Sequence, residues 1–90
     1  QVVTFLPTGS MLPVIDERTV GVAETLDESD RPQVGDLVLF DHRGQWVCHR
    51  VIATDPGSAA VRTAGDNVGH GDGWQRPQLR IIALFYTVRQ

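Results

Sequence analysis

Glycine and proline interrupt this sequence at intervals too short for long helices. Nine Gly and five Pro are spread along 90 residues, and almost no window of a dozen residues holds the sustained apolar stripe of an amphipathic helix without one of them. Val, Ile and Thr, which favour strands, supply 23 of the 90 residues. The pattern therefore predicts short strands joined by turns.

Six strands are predicted between these turn residues. They lie at residues 2–6, 19–24, 36–40, 46–53, 60–64 and 80–88. The third and the last are apolar on both faces, which indicates central strands of a sheet. Residues 41–44 are predicted to form the hairpin turn between the third and fourth strands. We expect an all-β fold, a small coiled or partly open β-barrel, and a single domain over residues 1–90 because a chain of this length supports one core.

Composition and charge exclude several functions. Eight Arg, no Lys and eleven acidic residues give a net charge of -3, without the basic excess typical of nucleic-acid binding. A chain without lysine has no Schiff base, no P-loop lysine and no Ser–Lys dyad. The single Cys48 cannot form an internal disulfide or a multi-thiolate zinc site. The longest apolar run, residues 81–86, is far shorter than the ~20 residues that span a bilayer, so the 90 residues are expected to be soluble.

A first candidate site is the proline-flanked segment at residues 7–13. Gly9 frees the backbone just before Ser10, and Pro13 ends any turn that starts there. A bend of this kind exposes the serine hydroxyl and leaves amide N–H groups that could bind the oxyanion of an acyl-transfer intermediate. An ordinary Gly-Ser turn explains the same residues, and this segment alone favours that explanation.

A second candidate is the strand that contains His49. Alternate side chains of a strand share a face, so His49 points with Val47 and Val51 and is the polar group in an apolar row. A buried imidazole that stays neutral can accept a proton, as a general base does. Arg50 points the other way and is expected to pair with an acid. Taken alone, the strand favours a structural histidine bonded to backbone.

A third candidate is the glycine-rich segment at residues 63–74, which is predicted to be a shaped loop. It carries Asp66 and Asp72, and either carboxylate could hydrogen-bond an imidazole, fix its tautomer and stabilise its cation. Turn chemistry or a weak oxygen-ligand cation site would also use such residues. A metal site built from His49, His70 and an Asp has no closely spaced histidine pair to support it, so neither a metal nor another cofactor is expected.

Four motifs then occur in a characteristic order. They are GSMLP at residues 9–13, VGDLV at 34–38, HRV at 49–51 and GDN at 65–67, followed by Asp72. Together they resemble the catalytic core of type I signal peptidases over most of the chain. The His-Arg pair is similar to the archaeal and endoplasmic-reticulum branch of that family, in which histidine replaces the lysine of the bacterial branch. The absence of lysine agrees with this branch.

The resemblance implies a serine endopeptidase that removes a signal or leader segment from a precursor protein. Ser10 would be the nucleophile, His49 the general base, and Asp72 or Asp66 the acid that orients the imidazole. Asp36, in the second motif, is expected to be structural.

The resemblance also implies further roles at the serine bend. The Ser10 amide, assisted by the Thr8 hydroxyl, would bind the oxyanion. Met11 and Pro13 would contribute to substrate binding, with Met11 on the floor of the cleft. The implied partner is a precursor protein or peptide. The resemblance further implies membrane association through an N-terminal anchor that these 90 residues do not contain, with the catalytic domain on the extracytoplasmic side.

Two other functions fit the same sequence. A non-catalytic β-barrel module could bind an extended peptide by strand addition at an open sheet edge. A small metal-dependent hydrolase could use His49, His70 and Asp72. The distance between the Ser10 hydroxyl and the His49 ring separates the peptidase from the binding module, and loss of activity with a chelator would indicate the metal-dependent hydrolase.

Overall fold

The computed structural model describes residues 1–5 and 9–87, and these residues form strands and turns without a helix. The seven strands are β1 (Val2–Thr4), β2 (Thr19–Thr25), β3 (Leu37–His42), β4 (Gln45–Thr54), β5 (Val61–Ala64), β6 (Trp74–Gln75) and β7 (Leu79–Tyr86). All pair antiparallel. The prediction of an all-β fold is confirmed. The described part of the chain contains no helix long and apolar enough to cross a membrane.

The strands form one open sheet in the order β1-β2-β7-β3-β4-β5-β6. β7 and β3 lie in the middle, as their apolar character on both faces predicted. β1 and β6 are the two edges. The sequence did not predict β6, because this strand has two residues and lies in the glycine-rich segment that was expected to be a loop. The predicted strand ends at Leu6 and Val88 lie outside the described residues.

The β3–β4 hairpin turns through Arg43 and Gly44. Both residues have positive φ, 54° and 83°, which is the geometry of a two-residue type I′ turn. The Asp41 carboxylate accepts a hydrogen bond from the Gly44 N–H at 2.8 Å. The turn is therefore shorter than the predicted segment 41–44, because Asp41 and His42 continue β3.

β3 is buried on both faces and separates two groups of core side chains. Leu37 and Leu39 face one side, where the core is formed by Met11, Ile15, Ala23 and Leu79. Val38 faces the other side and packs against Val51 and Val61. The second, smaller group lies between β3, β4 and β5, and His49 is on this side of β4.

β7 is central in the sheet but less completely covered than β3. The register with β2 shifts by one residue, because Val22 pairs with Ala83 while Ala23 pairs with Ile81. Ile82 is skipped by this bulge and is 58% exposed, and Phe85 is exposed to the same extent. Only some of the apolar side chains of β7 therefore pack in the core.

Candidate active site

The serine bend is held by a glycine with left-handed backbone. Gly9 has a φ of +80°, which a residue with a side chain adopts only with strain. The Leu12 N–H donates to the Gly9 carbonyl at 3.3 Å, and the Ile15 N–H donates to the Met11 carbonyl at 2.9 Å. These bonds close two successive turns and leave the Ser10 side chain half-buried at their start.

The loop after β5 holds the serine bend against the sheet through hydrogen bonds. The Asn67 N–H donates to the Ser10 carbonyl at 2.8 Å, and the Asn67 side-chain amide donates to the Gly9 carbonyl at 3.0 Å. The Asp66 N–H contacts the Met11 sulfur at 3.3 Å. Three contacts therefore join two segments that are more than 50 residues apart in sequence, and they fix the position of the serine relative to β4 and β5.

His49 is buried on β4, opposite Val38 of β3. Its ring meets the ring of Phe40 edge to face, with centroids 6.0 Å apart, an arrangement typical of favourable aromatic contacts. The two ring nitrogens point to polar partners on either side.

The structure brings Ser10, His49 and Asp72 into one line of hydrogen bonds. His49 Nε2 lies 3.2 Å from Ser10 Oγ, and His49 Nδ1 lies 2.5 Å from Asp72 Oδ2. An ionised carboxylate only accepts hydrogen bonds, so we assign the ring proton to Nδ1. In this tautomer Nε2 has the lone pair that can accept the proton of the Ser10 hydroxyl.

Asp72 is fixed by Thr63 as well as by His49. The Thr63 hydroxyl donates to Asp72 Oδ2 at 2.7 Å, and the Asp72 N–H donates to the Thr63 carbonyl at 2.6 Å. Thr63 is fully buried on β5. Asp72 is therefore held by hydrogen bonds at both its main-chain N–H and its carboxylate.

Asp66, the other candidate acid, contacts Arg50 instead of His49. Arg50 donates from Nε and Nη2 to the two oxygens of Asp66, both at 2.8 Å, and from Nη1 to the Gly35 carbonyl at 2.9 Å. These hydrogen bonds hold the pKa of the Asp66 carboxyl below its ordinary value. The expectation that Arg50 pairs with an acid is confirmed, and among the two aspartates Asp72 is the one in contact with the imidazole.

A cavity of about 390 Å³ opens beside Ser10. Its walls are mainly apolar and include Phe5, Leu12, Leu39, Trp46 and Cys48. A cleft of this volume and character is typical of sites that take a small ligand or a peptide side chain.

The residues predicted to bind substrate have different positions around this cavity. Met11 reaches its lining, but the side chain is 4% exposed and packs in the core with Ile15 and Leu37. Pro13 is exposed and is not among the residues that line the cavity. Thr8, the predicted oxyanion donor, lies outside the described residues.

The other histidines and the predicted structural acid lie away from this line of hydrogen bonds. His42 and His70 are exposed, and residues 1–5 and 9–87 contain no group of three or more His, Cys, Asp or Glu side chains arranged to hold a metal ion. Asp36 accepts a hydrogen bond from the Gln33 N–H at 2.8 Å, and its carboxylate is 3.6 Å from Arg80 Nη1.

The main chain of Gly65 lies against both the serine bend and the imidazole. A Cβ atom on Gly65 would lie 2.6 Å from the Ser10 carbonyl oxygen and 3.1 Å from His49 Nε2. Both distances are shorter than ordinary contacts, and the first is to backbone that cannot rotate away. The lack of a side chain at Gly65 is therefore a condition for the contact between Ser10 and His49.

We expect Gly65→Ala to lower kcat by on the order of 10²-fold, because the added methyl group must displace either the serine bend or the imidazole from bonding geometry. Gly69→Ala is the matched control, since a Cβ at Gly69 meets nothing within 4 Å in the same loop. The measurement is cleavage of peptides, the activity that the resemblance of the motifs implies, by the two purified variants. Equal activities would show that the close approach at Gly65 has no functional consequence.

Cys48 lines the same cavity and is expected to be chemically inert. Burial raises the pKa of its thiol to about 12, so at pH 8 only about one molecule in 10⁴ carries the reactive thiolate. We expect a chromogenic disulfide reagent at pH 8 to leave the folded protein unmodified and to titrate one thiol after denaturation. Rapid labelling of the folded protein, with loss of activity, would make Cys48 a competing nucleophile.

Sequence reasoning missed Thr63, Phe40 and the steric role of Gly65. Thr63 was noted only as the start of the glycine-rich segment. Thr63 lies two residues after Val61 in a short strand, so the two side chains share a face, and this was the one signal that could have placed Thr63 on a buried face. The contacts that give Phe40 and Gly65 their roles depend on the fold and carry no local signal.

Comparison of the chain with protein-family models, with curated proteins and with solved structures gave no match. The interpretation of function therefore depends on the geometry around Ser10 and on the order of the motifs in the sequence.

Proposed function

We propose that this protein is a serine endopeptidase of the signal-peptidase type, which cleaves a signal or leader segment from a precursor protein. The observation that carries the proposal is the line from Ser10 Oγ through the His49 ring to Asp72, with separations of 3.2 and 2.5 Å. A nucleophile, a base and an orienting acid at these distances match the requirements of acyl transfer.

In the proposed mechanism Ser10 Oγ attacks the carbonyl carbon of the scissile peptide bond. His49 Nε2 accepts the hydroxyl proton during the attack, and Asp72 stabilises the resulting imidazolium through Nδ1–H. His49 then donates this proton to the nitrogen of the leaving amine, and an acyl ester of Ser10 remains. A water molecule, activated by His49 in the same way, hydrolyses the ester and restores the serine.

The negatively charged oxygen of the tetrahedral intermediate needs hydrogen-bond donors. In the proposed arrangement these are the Ser10 main-chain amide and, as in the family that the sequence resembles, the hydroxyl of Thr8. Loss of one such donor typically costs ~10²–10³ in kcat.

Two features support an extended peptide as the substrate. The cavity beside Ser10 has largely apolar walls, to which Trp46, Val47 and Cys48 of β4 contribute. In the described part of the chain, this segment of β4 pairs with β3 on one edge only, since β5 begins its pairing with β4 at Arg50. The other edge offers main-chain groups to a peptide in strand conformation.

The remaining parts of the proposal follow from the resemblance of the motifs. They are a precursor protein as partner, membrane association through an N-terminal anchor, and action on the extracytoplasmic side.

The experiment that tests the proposed function is cleavage of a library of unstructured peptides by the purified protein, with the products identified by mass spectrometry. The proposal predicts cleavage at defined bonds, which a serine-directed fluorophosphonate abolishes and a chelator leaves unchanged. Inhibition by the chelator alone would favour a metal-dependent hydrolase. Peptide binding without cleavage would favour a non-catalytic binding module.

A further inference from the structure

Asp72 belongs to a segment that regular secondary structure does not hold. It is flanked by Gly71 and Gly73 and precedes the two-residue strand β6. Glycine on both sides gives the main chain wide conformational freedom, so an acid in this position needs an anchor elsewhere in the fold if its carboxylate is to keep one orientation.

The anchor is Thr63, which lies on β5 directly opposite Val51 of β4. Val51 is two residues from His49, and because alternate side chains of a strand share a face, the two lie on the same face of β4, where both are buried. The anchor of the acid and the imidazole therefore lie on neighbouring strands of the sheet and on the same face. The pairing of β4 with β5 therefore fixes the main chain of Thr63 relative to the main chain of His49.

The contacts of Thr63 fix both the position and the rotation of the acid. Its carbonyl accepts the Asp72 N–H at 2.6 Å, which fixes the main chain of the loop. Its hydroxyl donates at 2.7 Å to Oδ2, the oxygen that also accepts His49 Nδ1–H. With one lone pair of Oδ2 bound to the hydroxyl, the carboxylate cannot rotate without losing a hydrogen bond, and the second lone pair stays directed at the imidazole.

We infer that Thr63 is a positioning residue of this site, which acts on the reaction through Asp72 and touches neither the substrate nor the reacting atoms. The inference rests on the proposed peptidase function. Without the hydroxyl, the carboxylate rotates between orientations, and the His49 tautomer that can accept the Ser10 proton is held for only part of the time. The chemical step slows, while substrate binding, which uses other residues, is unchanged.

The kinetic test compares Thr63→Val with Thr63→Ser, because Val keeps the shape of the side chain and Ser keeps the hydroxyl. We expect Thr63→Val to lower kcat by on the order of 10²-fold with KM unchanged, and Thr63→Ser to recover most of the activity. If Thr63→Val proves unfolded, Thr63→Ala replaces it in the same comparison. Wild-type kcat in a folded variant without the hydroxyl would overturn the inference and indicate that Thr63 only fills the core.

A second readout does not depend on peptidase activity. The His49 Nδ1–H proton, hydrogen-bonded to a fixed carboxylate, is expected to give a slowly exchanging downfield resonance in the proton NMR spectrum of the wild type and of Thr63→Ser. We expect this resonance to be lost by exchange in folded Thr63→Val. Its persistence there would contradict the inference. If the wild type cleaves no peptide, the proposed function fails while this spectrum still decides the role of Thr63.

Discussion

Replacing Ser10 with alanine is expected to lower kcat by about 10⁶-fold, the loss that follows when the nucleophile of a serine peptidase is removed. The fold should persist, because the bend is held by main-chain bonds such as that from the Asn67 N–H to the Ser10 carbonyl, and these do not need the hydroxyl. Steady-state cleavage of a peptide substrate measures the effect, and circular dichroism measures the fold.

Ser29→Ala provides the matched control for this substitution. Ser29 is exposed in the loop after β2, where its hydroxyl contacts Asp27 at 2.7 Å. We expect this variant to cleave at the wild-type rate. Retention of activity in Ser10→Ala would contradict the mechanism, because the proposed acyl ester forms on the Ser10 hydroxyl, which this variant lacks.

The second large effect is expected for Asp72→Asn, with a loss of about 10⁴-fold in kcat. An amide in place of the carboxylate can donate to Nδ1, which favours the tautomer that carries its proton on Nε2. In that tautomer the ring has no lone pair directed at Ser10 Oγ and cannot accept the hydroxyl proton. The fold should be retained, because the two side chains have nearly the same shape.

Asp66→Asn is the matched control for the acid, because it makes the same change six residues earlier in the same loop. Its carboxylate binds Arg50, so we expect the variant to lose about 1 kcal/mol of unfolding free energy and to keep its activity within about tenfold. A large loss of activity in Asp66→Asn with little loss in Asp72→Asn would contradict this assignment and show that Asp66 is the acid on which His49 depends.

The stability difference between wild type and Asp66→Asn is expected to depend on pH. Hydrogen bonds from Arg50 lower the pKa of Asp66 in the folded protein. A group of this kind stabilises the fold at pH values above its pKa in the unfolded chain, and the stabilisation is lost as the pH falls through its lowered pKa in the folded protein. Denaturant titrations should therefore show the two proteins converging in acid.

The strands could be predicted from sequence because their side chains alternate or form apolar runs. The run LVLF at residues 37–40 placed β3 at the centre of the sheet, where the structure buries both its faces. The bulge opposite Val22 could not be predicted, because skipping Ile82 changes which side chains of β7 face the core without leaving a signal in the sequence. β6 is too short to show any periodicity.

The candidate site could be predicted in its residue types but not in all its contacts. The glycine bend at Ser10 and the apolar row around His49 are local features, and the fold brings these two side chains together. The choice between Asp66 and Asp72 depended on the path of a glycine-rich loop, which local residue preferences do not determine. In the structure Arg50 binds Asp66 on the face of β4 opposite His49, and Asp72 is left as the acid that contacts the imidazole.

Proton transfer from Ser10 to His49 is the central step of the proposed mechanism, and the rate at which a fluorophosphonate modifies Ser10 measures it most directly. Intact-mass spectrometry of the wild type and of His49→Gln gives this rate without any knowledge of the natural substrate. We predict one adduct per chain on Ser10, formed at least about 100-fold faster in the wild type than in the variant. Equal rates in the two proteins, or an adduct at another residue, would contradict the assignment of His49 as the base.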